Sequence, residues 1–138
     1  MTVPDDIVLN KASTIERCLL RVKDEHEHCP LLDNFTHLDA LILNLERACQ
    51  AAIDMAMHII AKQHWGVPQG SADAFTILAK RGLISDELAK RLRGMVGFRN
   101  IATHEYQGLD ISVVQYVIAQ GKEDLVELCR QLGVSIKY

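Results

Sequence analysis

Aromatic side chains are scarce in this sequence: one Trp, three Tyr and three Phe among 138 residues. A core of this size must then be filled by aliphatic groups, which fits helices packed through Leu, Ile, Ala and Met. Positive charge is not in excess either. Fifteen Lys and Arg against eighteen Asp and Glu leave a formal net charge of −3. No global basic field advertises nucleic acid, so any RNA contact must be a local patch, including one assembled across a subunit interface. The four cysteines, Cys18, Cys29, Cys49 and Cys129, contain no C-x-x-C pair. Cys18 and Cys49 fall at core-facing positions and read as small buried hydrophobes in a reducing compartment. No charged n-region followed by an apolar run opens the chain, and no apolar stretch reaches membrane-spanning length. The expectation is a cytoplasmic protein without membrane contact. Internal repeats and low-complexity tracts are absent, and nothing reads as a strand except a possible extended tail over 134–138.

What is present is helical periodicity. The length suits a single domain over 1–138, with its core at about 7–132 and a short C-terminal tail. Ile7, Lys11, Ile15, Cys18, Leu19 and Val22 keep one stripe of a first helix, which Pro30 stops because proline lacks a donor. Thr36 is the expected N-cap of a second helix. It carries Leu38, Leu41, Ile42, Leu45, Cys49, Ala52, Ile53 and Ala56 and runs to about Gln63, before Gly66 and Pro68. Gly70–Ser71 opens a shorter helix halted at Gly82, and Ser85 starts another through Leu88, Leu92, Met95 and Val96. Asp110 caps the last helix, with Ile111, Val114, Val117, Ile118, Leu125, Leu128 and Leu132 as its apolar stripe and Gly133 as its stop. The fold class is all-α: a compact up-and-down bundle of four to five helices.

One stretch stands out from this background. FRNIATHEYQG places Arg99, Asn100, His104 and Tyr106 within eight consecutive residues. Arginine binds phosphate oxygens bidentately, and histidine has the one side chain whose unperturbed pKa suits proton transfer near neutrality. On a helix Asn100 and His104 are i, i+4 neighbours, Arg99 and Tyr106 share an adjacent stripe, and one face presents all four groups around a concavity. Gly94, Gly97 and Gly108 bracket the segment and allow another backbone to approach closely.

Cutting RNA without a metal takes a base for the 2′-hydroxyl proton, an acid for the departing 5′-oxygen and a cation for charge developing at phosphorus. One copy of the motif holds a single histidine. Two-fold pairing supplies two, so the chemistry calls for a homodimer with its site across the interface. Asn100 would orient His104 or bind the phosphate. Tyr106 either positions substrate or, as an exposed phenol beside a phosphate site, is a target for covalent modification. The plain alternative is that such a cluster only caps carbonyls or bridges charges on a neighbouring helix.

The order Arg99-Asn100-x-x-x-His104-x-Tyr106 resembles the signature of the HEPN superfamily, in its HepT-like toxin branch. The run Leu43 to Cys49, Ala52-Ile53-Asp54, His58-Ile59, Phe75 to Leu78 and Met95 to Phe98 are also similar to that branch. The resemblance covers most of the chain, about Ile7 to Leu132, and the motif shows no departure from the pattern. It implies an all-helical homodimer that is the toxin of a bacterial type VII toxin–antitoxin pair: a metal-independent endoribonuclease needing no cofactor, acting on tRNA or mRNA. It further implies a minimal nucleotidyltransferase antitoxin that transfers AMP from ATP to the motif tyrosine. Carried over residue by residue, Arg99 and His104 are the catalytic pair, Asn100 the accessory polar residue and Tyr106 the AMPylation site. Tyr116 and Tyr138 lie outside the motif and inherit nothing.

Competing readings are a non-catalytic helical module that partners a nucleotidyltransferase and presents RNA or nucleotide, and a purely structural interaction domain. Other residues carry lesser expectations. His26, His28 and Cys29 form an H-x-H-C cluster without a clear fourth ligand, so a solvated or capping role is preferred over a metal. Asp54 and His58 read as an i, i+4 pair, and His37 and His64 as helix-end residues. Trp65 reads as a loop anchor. Lys80, Arg81, Lys90, Arg91 and Arg93 make the approach to the motif locally basic, which either steers RNA or is a solvated face.

Overall fold

In the computed structural model, residues 4–104 and 110–137 are described, with the backbone alone for Thr103 and His104. Six helical segments follow one another: α1 Asp6–His28, α2 Phe35–Gln63, α3 Ser71–Lys80, α4 Asp86–His104, α5 Ile111–Tyr116 and α6 Lys122–Gln131. A π-helical stretch, Val117–Gly121, joins α5 to α6 without a break. Among the described residues there is no strand; the 134–137 tail instead lays Ile136 against the core and ties the Lys137 N–H to Glu16. No helix among them is long and apolar enough to cross a membrane.

Local chemistry sets most of the boundaries. Ser85 Oγ accepts from the Leu88 N–H at 3.1 Å, and Asp110 Oδ1 from the Ser112 N–H at 2.8 Å, so both expected starts hold. Gly82 and Gly133 sit at φ +77° and +93°, where a side chain would be strained, and end α3 and α6. The start of α2 differs from expectation. Asn34, not Thr36, is the cap: its Oδ1 accepts from both the Thr36 and His37 N–H groups, which puts Thr36 inside the first turn. Asn and Thr both cap, and the choice between them falls to the extended backbone at Asn34 (φ −110°, ψ 117°).

The helices run alternately up and down. At one end of the α1–α2 hairpin Asp5 Oδ2 meets His58 at 2.6 Å and Lys62 at 2.9 Å; at the other, Glu25 meets His37 at 2.5 Å. Asp5 also caps α1 through the Val8 N–H. The bonds from His58, Val8 and Lys62 hold its carboxyl well below the usual carboxylate range. His58 therefore pairs with Asp5 and not with Asp54, because the antiparallel neighbour brings a carboxylate to its ring that helical spacing cannot reveal. Such exposed pairs contribute little each. The bundle rests on burial of its aliphatic side chains, at about 1.5–3 kcal/mol for each fully buried Leu or Ile.

Two hydrophobic clusters form the core. The larger joins the first half of α1, the second half of α2, α3, the first half of α4 and α6, around Ile15, Met55, Phe75, Leu88, Leu92 and Leu128. The smaller takes Val22, Leu41, Leu45, Phe98, Ala102, Val114 and Ile118. Expected stripe positions Ile7 and Ile111 are exposed instead; Val8 takes the buried place next to Ile7, while Val114 is buried as expected. A one-residue change of phase turns a helix by about 100°, enough to exchange a buried position for an exposed one. Cys18 and Cys49 are buried as expected, and all four cysteines are free and buried. At the end of the π turn a Cβ on Gly121 would lie 3.1 Å from Val117 Cγ1 and 3.3 Å from Met95 Cε, so glycine lets α4 come this close without a shift.

Candidate active site on α4

α4 passes from one cluster to the other, with Leu88 to Val96 in the larger and Phe98 and Ala102 in the smaller. Arg99 lies at that seam, half-buried and turned toward α2. Its Nη1 donates to Gln50 Oε1 at 2.9 Å. The Gln50 Nε2 in turn donates to Asp54 Oδ1 at 2.9 Å, and Asp54 Oδ2 lies 3.7 Å from Lys11 Nζ on α1. Glu46 and Cys49 on the same stretch of α2 also feel the guanidinium. Burial raises the Glu46 carboxyl and pushes the Cys49 thiol up to about 12, and the Arg99 charge opposes both shifts.

Asn100 is exposed one step around the helix. His104 is the last residue of α4 and, by helical register, stands on the same stripe as Asn100; Tyr106 lies outside the described residues. The expectation that one face presents all four groups falls on His104 and Tyr106, whose side chains lie outside the described residues. Five residues separate Arg99 from His104, a rotation of about 140° on an ideal helix. Arg99 turns to the α2 side, while Asn100 is exposed one step around the helix.

Another face of α4 borders a groove. Gly94, Gly97 and Ile101 on α4 face Val113, Tyr116 and Val117 across a mostly apolar space of about 650 Å³. Ile101 is 45% and Tyr116 66% exposed, although both are apolar or largely so. A Cβ at Gly94 or Gly97 would meet nothing within 4 Å among the described residues, so the glycines leave the helix surface bare there.

The remaining sequence expectations resolve as follows. Arg91 is engaged by the buried Asp124 at 2.7 Å and by Glu87 at 2.8 Å; Arg93 bonds Thr76, and Arg81 lies over Trp65 at 5.4 Å. Much of the basic run therefore braces neighbouring elements, with Lys80 and Lys90 exposed. Trp65 packs against the larger cluster as a loop anchor. His28 Nδ1 lies 2.8 Å from the Asp24 carbonyl, which raises its pKa, and the Cys29 thiol donates to Asp33. No three of His, Cys, Asp and Glu converge into a metal-holding group among the described residues. Gln50 and Glu46 are the residues that sequence reasoning missed. Their signal was weak: Glu46, Gln50 and Asp54 recur at i, i+4 as one polar line on a helix otherwise read for its apolar stripe.

Comparison with known proteins gives a consistent picture. The family model described as ribonuclease HepT-like matches residues 13–132. The chain is 44% identical over 121 residues to a protein of Shewanella oneidensis named mRNA nuclease HepT, covering 87% of this chain and 91% of that one. It is 33% identical over 89 residues to the tRNA nuclease HepT of Aphanizomenon flos-aquae, covering 64% of this chain and 60% of that one. Among solved structures, the tri-AMPylated Shewanella oneidensis HEPN toxin in complex with its MNT antitoxin superposes with a TM-score of 0.88. That pair shares 41% identity over 94% of this chain and 98% of that one.

Proposed function

The chain belongs to the ribonuclease HepT-like family, and from that premise we propose that it is the endoribonuclease toxin of a toxin–antitoxin pair, silenced by AMPylation of Tyr106. The observation that carries this reading is the family match over 13–132 with Arg99-Asn100-x-x-x-His104-x-Tyr106 intact inside it. RNA is the substrate and a minimal nucleotidyltransferase the partner. The cytoplasm, where RNA, ATP and the partner meet, is the compartment, in keeping with four free buried cysteines.

Arg99 is the cation that meets the scissile phosphate. One His104 takes the proton of the 2′-hydroxyl, whose oxygen attacks phosphorus, and the His104 of a second copy protonates the departing 5′-oxygen. Asn100 orients the imidazole or the phosphate. One copy of the motif holds a single histidine, so two mated copies supply both the acid and the base. The groove beside Gly94, Gly97 and Ile101 is the natural seat for that mate, since bare helix surface permits close backbone approach. Gly97→Gln tests this directly. Its Cβ has open space in the protomer, and leaving glycine favours the helix by up to about 1 kcal/mol. The expected result is a stably folded chain that light scattering finds at half the wild-type mass and that no longer cuts RNA. A Gly97→Gln protein of wild-type mass and activity places the mate elsewhere.

Silencing follows from charge. In the transfer, the Tyr106 phenol oxygen attacks the α-phosphorus of ATP, pyrophosphate leaves, and the proton passes to a base of the transferase. Each AMP adds a phosphodiester charge and a purine next to Arg99, where both compete with RNA. Intact mass of the protein produced with and without its neighbouring nucleotidyltransferase tests the reading. A shift in whole AMP residues, mapped to Tyr106, is expected; an unchanged mass with full silencing overturns the switch.

A further inference from the structure

We infer that Gln50 is the positioning residue for Arg99, holding the guanidinium edge-on through a neutral acceptor while Asp54 and Lys11 lock the amide. This rests on the reading of Arg99 as the phosphate-binding cation.

The amide has one orientation that satisfies both neighbours. Arginine carries donors only and an ionised carboxylate acceptors only, so Oε1 must face Arg99 and Nε2 must face Asp54. Reversal would oppose donor to donor and acceptor to acceptor. The observed contacts, 2.9 Å on each side, are the matched arrangement. Lys11 at 3.7 Å from the other Asp54 oxygen ties the relay to α1, so the guanidinium takes its orientation from two helices that do not carry it.

The identity of the residue matters as much as its place. A free arginine side chain samples many rotamers, and ordering it when RNA binds would cost conformational entropy. Gln50 orders it beforehand. Glutamate would do so more tightly through a charge-assisted bond, but would cancel the charge the phosphate needs. Asparagine would fall one methylene short of either partner. A neutral, long amide orders the cation without adding a negative charge of its own.

Three variants of the full chain test the assignment on a single-stranded RNA probe. Gln50→Met keeps the side-chain length and removes the amide. It should cut about 10- to 100-fold more slowly, the loss of one hydrogen bond to a charged group, with an unchanged melting temperature because Gln50 is exposed. Gln50→Glu should weaken RNA binding and flatten its salt dependence by about 0.7 per site as the new carboxylate takes over Arg99. In an Arg99→Lys background, Gln50→Met should change RNA affinity no further. Wild-type cleavage by Gln50→Met, or an equal loss in the Arg99→Lys background, overturns the positioning role. If the wild-type protein itself cuts no RNA, the reading of function fails instead. The Gln50 contact is then decided by the Arg99 guanidinium ¹⁵N–¹H resonances, which Gln50→Met must shift or broaden; unmoved resonances overturn it.

Discussion

His104→Ala should leave a folded protein that neither cuts RNA nor arrests growth. Proton transfer by a positioned imidazole contributes about 10²–10⁴-fold, and here each site spends one imidazole as base and one as acid. Because the symmetric substitution removes both, the expected loss lies at the upper end of that range. The fold should be indifferent, since the substitution puts the best helix former at the last position of α4. Single-turnover cleavage and growth with inducible expression both read the outcome. Mixed dimers add a sharper check: one wild-type and one His104→Ala protomer still lack a complete acid–base pair, so the mixture should lose activity out of proportion to the mutant fraction. Undiminished cleavage by His104→Ala removes the nuclease assignment from this motif.

The second large effect concerns control. Tyr106→Phe should cut RNA at close to the wild-type rate and remain toxic when the nucleotidyltransferase is present. The substitution removes only the phenol oxygen, the atom that must attack the α-phosphorus of ATP, and leaves the ring. In wild type the partner should restore growth fully and add mass in AMP steps; in Tyr106→Phe it should do neither. Restored growth without added mass would mean that the partner silences by binding alone. The two experiments address different atoms of one motif, so His104→Ala can succeed while Tyr106→Phe fails.

How far the chain could be read in advance depended on the range of the interaction. Ser85, Asp110, Gly70, Gly82, Gly133 and Pro30 all act within one helical turn, and their expected roles stand. Apolar spacing located the helices and the buried cysteines, but erred by one residue at Ile7, where Val8 is the buried neighbour. Asn34 displaced Thr36 because two good caps lay two residues apart and the incoming chain direction chose between them. The close approach at Gly121 escaped notice because Met95 comes from another helix.

By itself the sequence determined the helical class, most of the helix ends, and the presence of Arg99, Asn100, His104 and Tyr106 in one short stretch, because these depend on residue type and spacing along a single helix. Tertiary structure alone decided that Arg99 turns to α2 and rests on Gln50, that His58 serves Asp5, and that Gly97 and Ile101 border an open groove. The first two join residues some 50 positions apart and the third joins two different helices, and such partners are chosen by how the helices pack, a choice that no local period encodes.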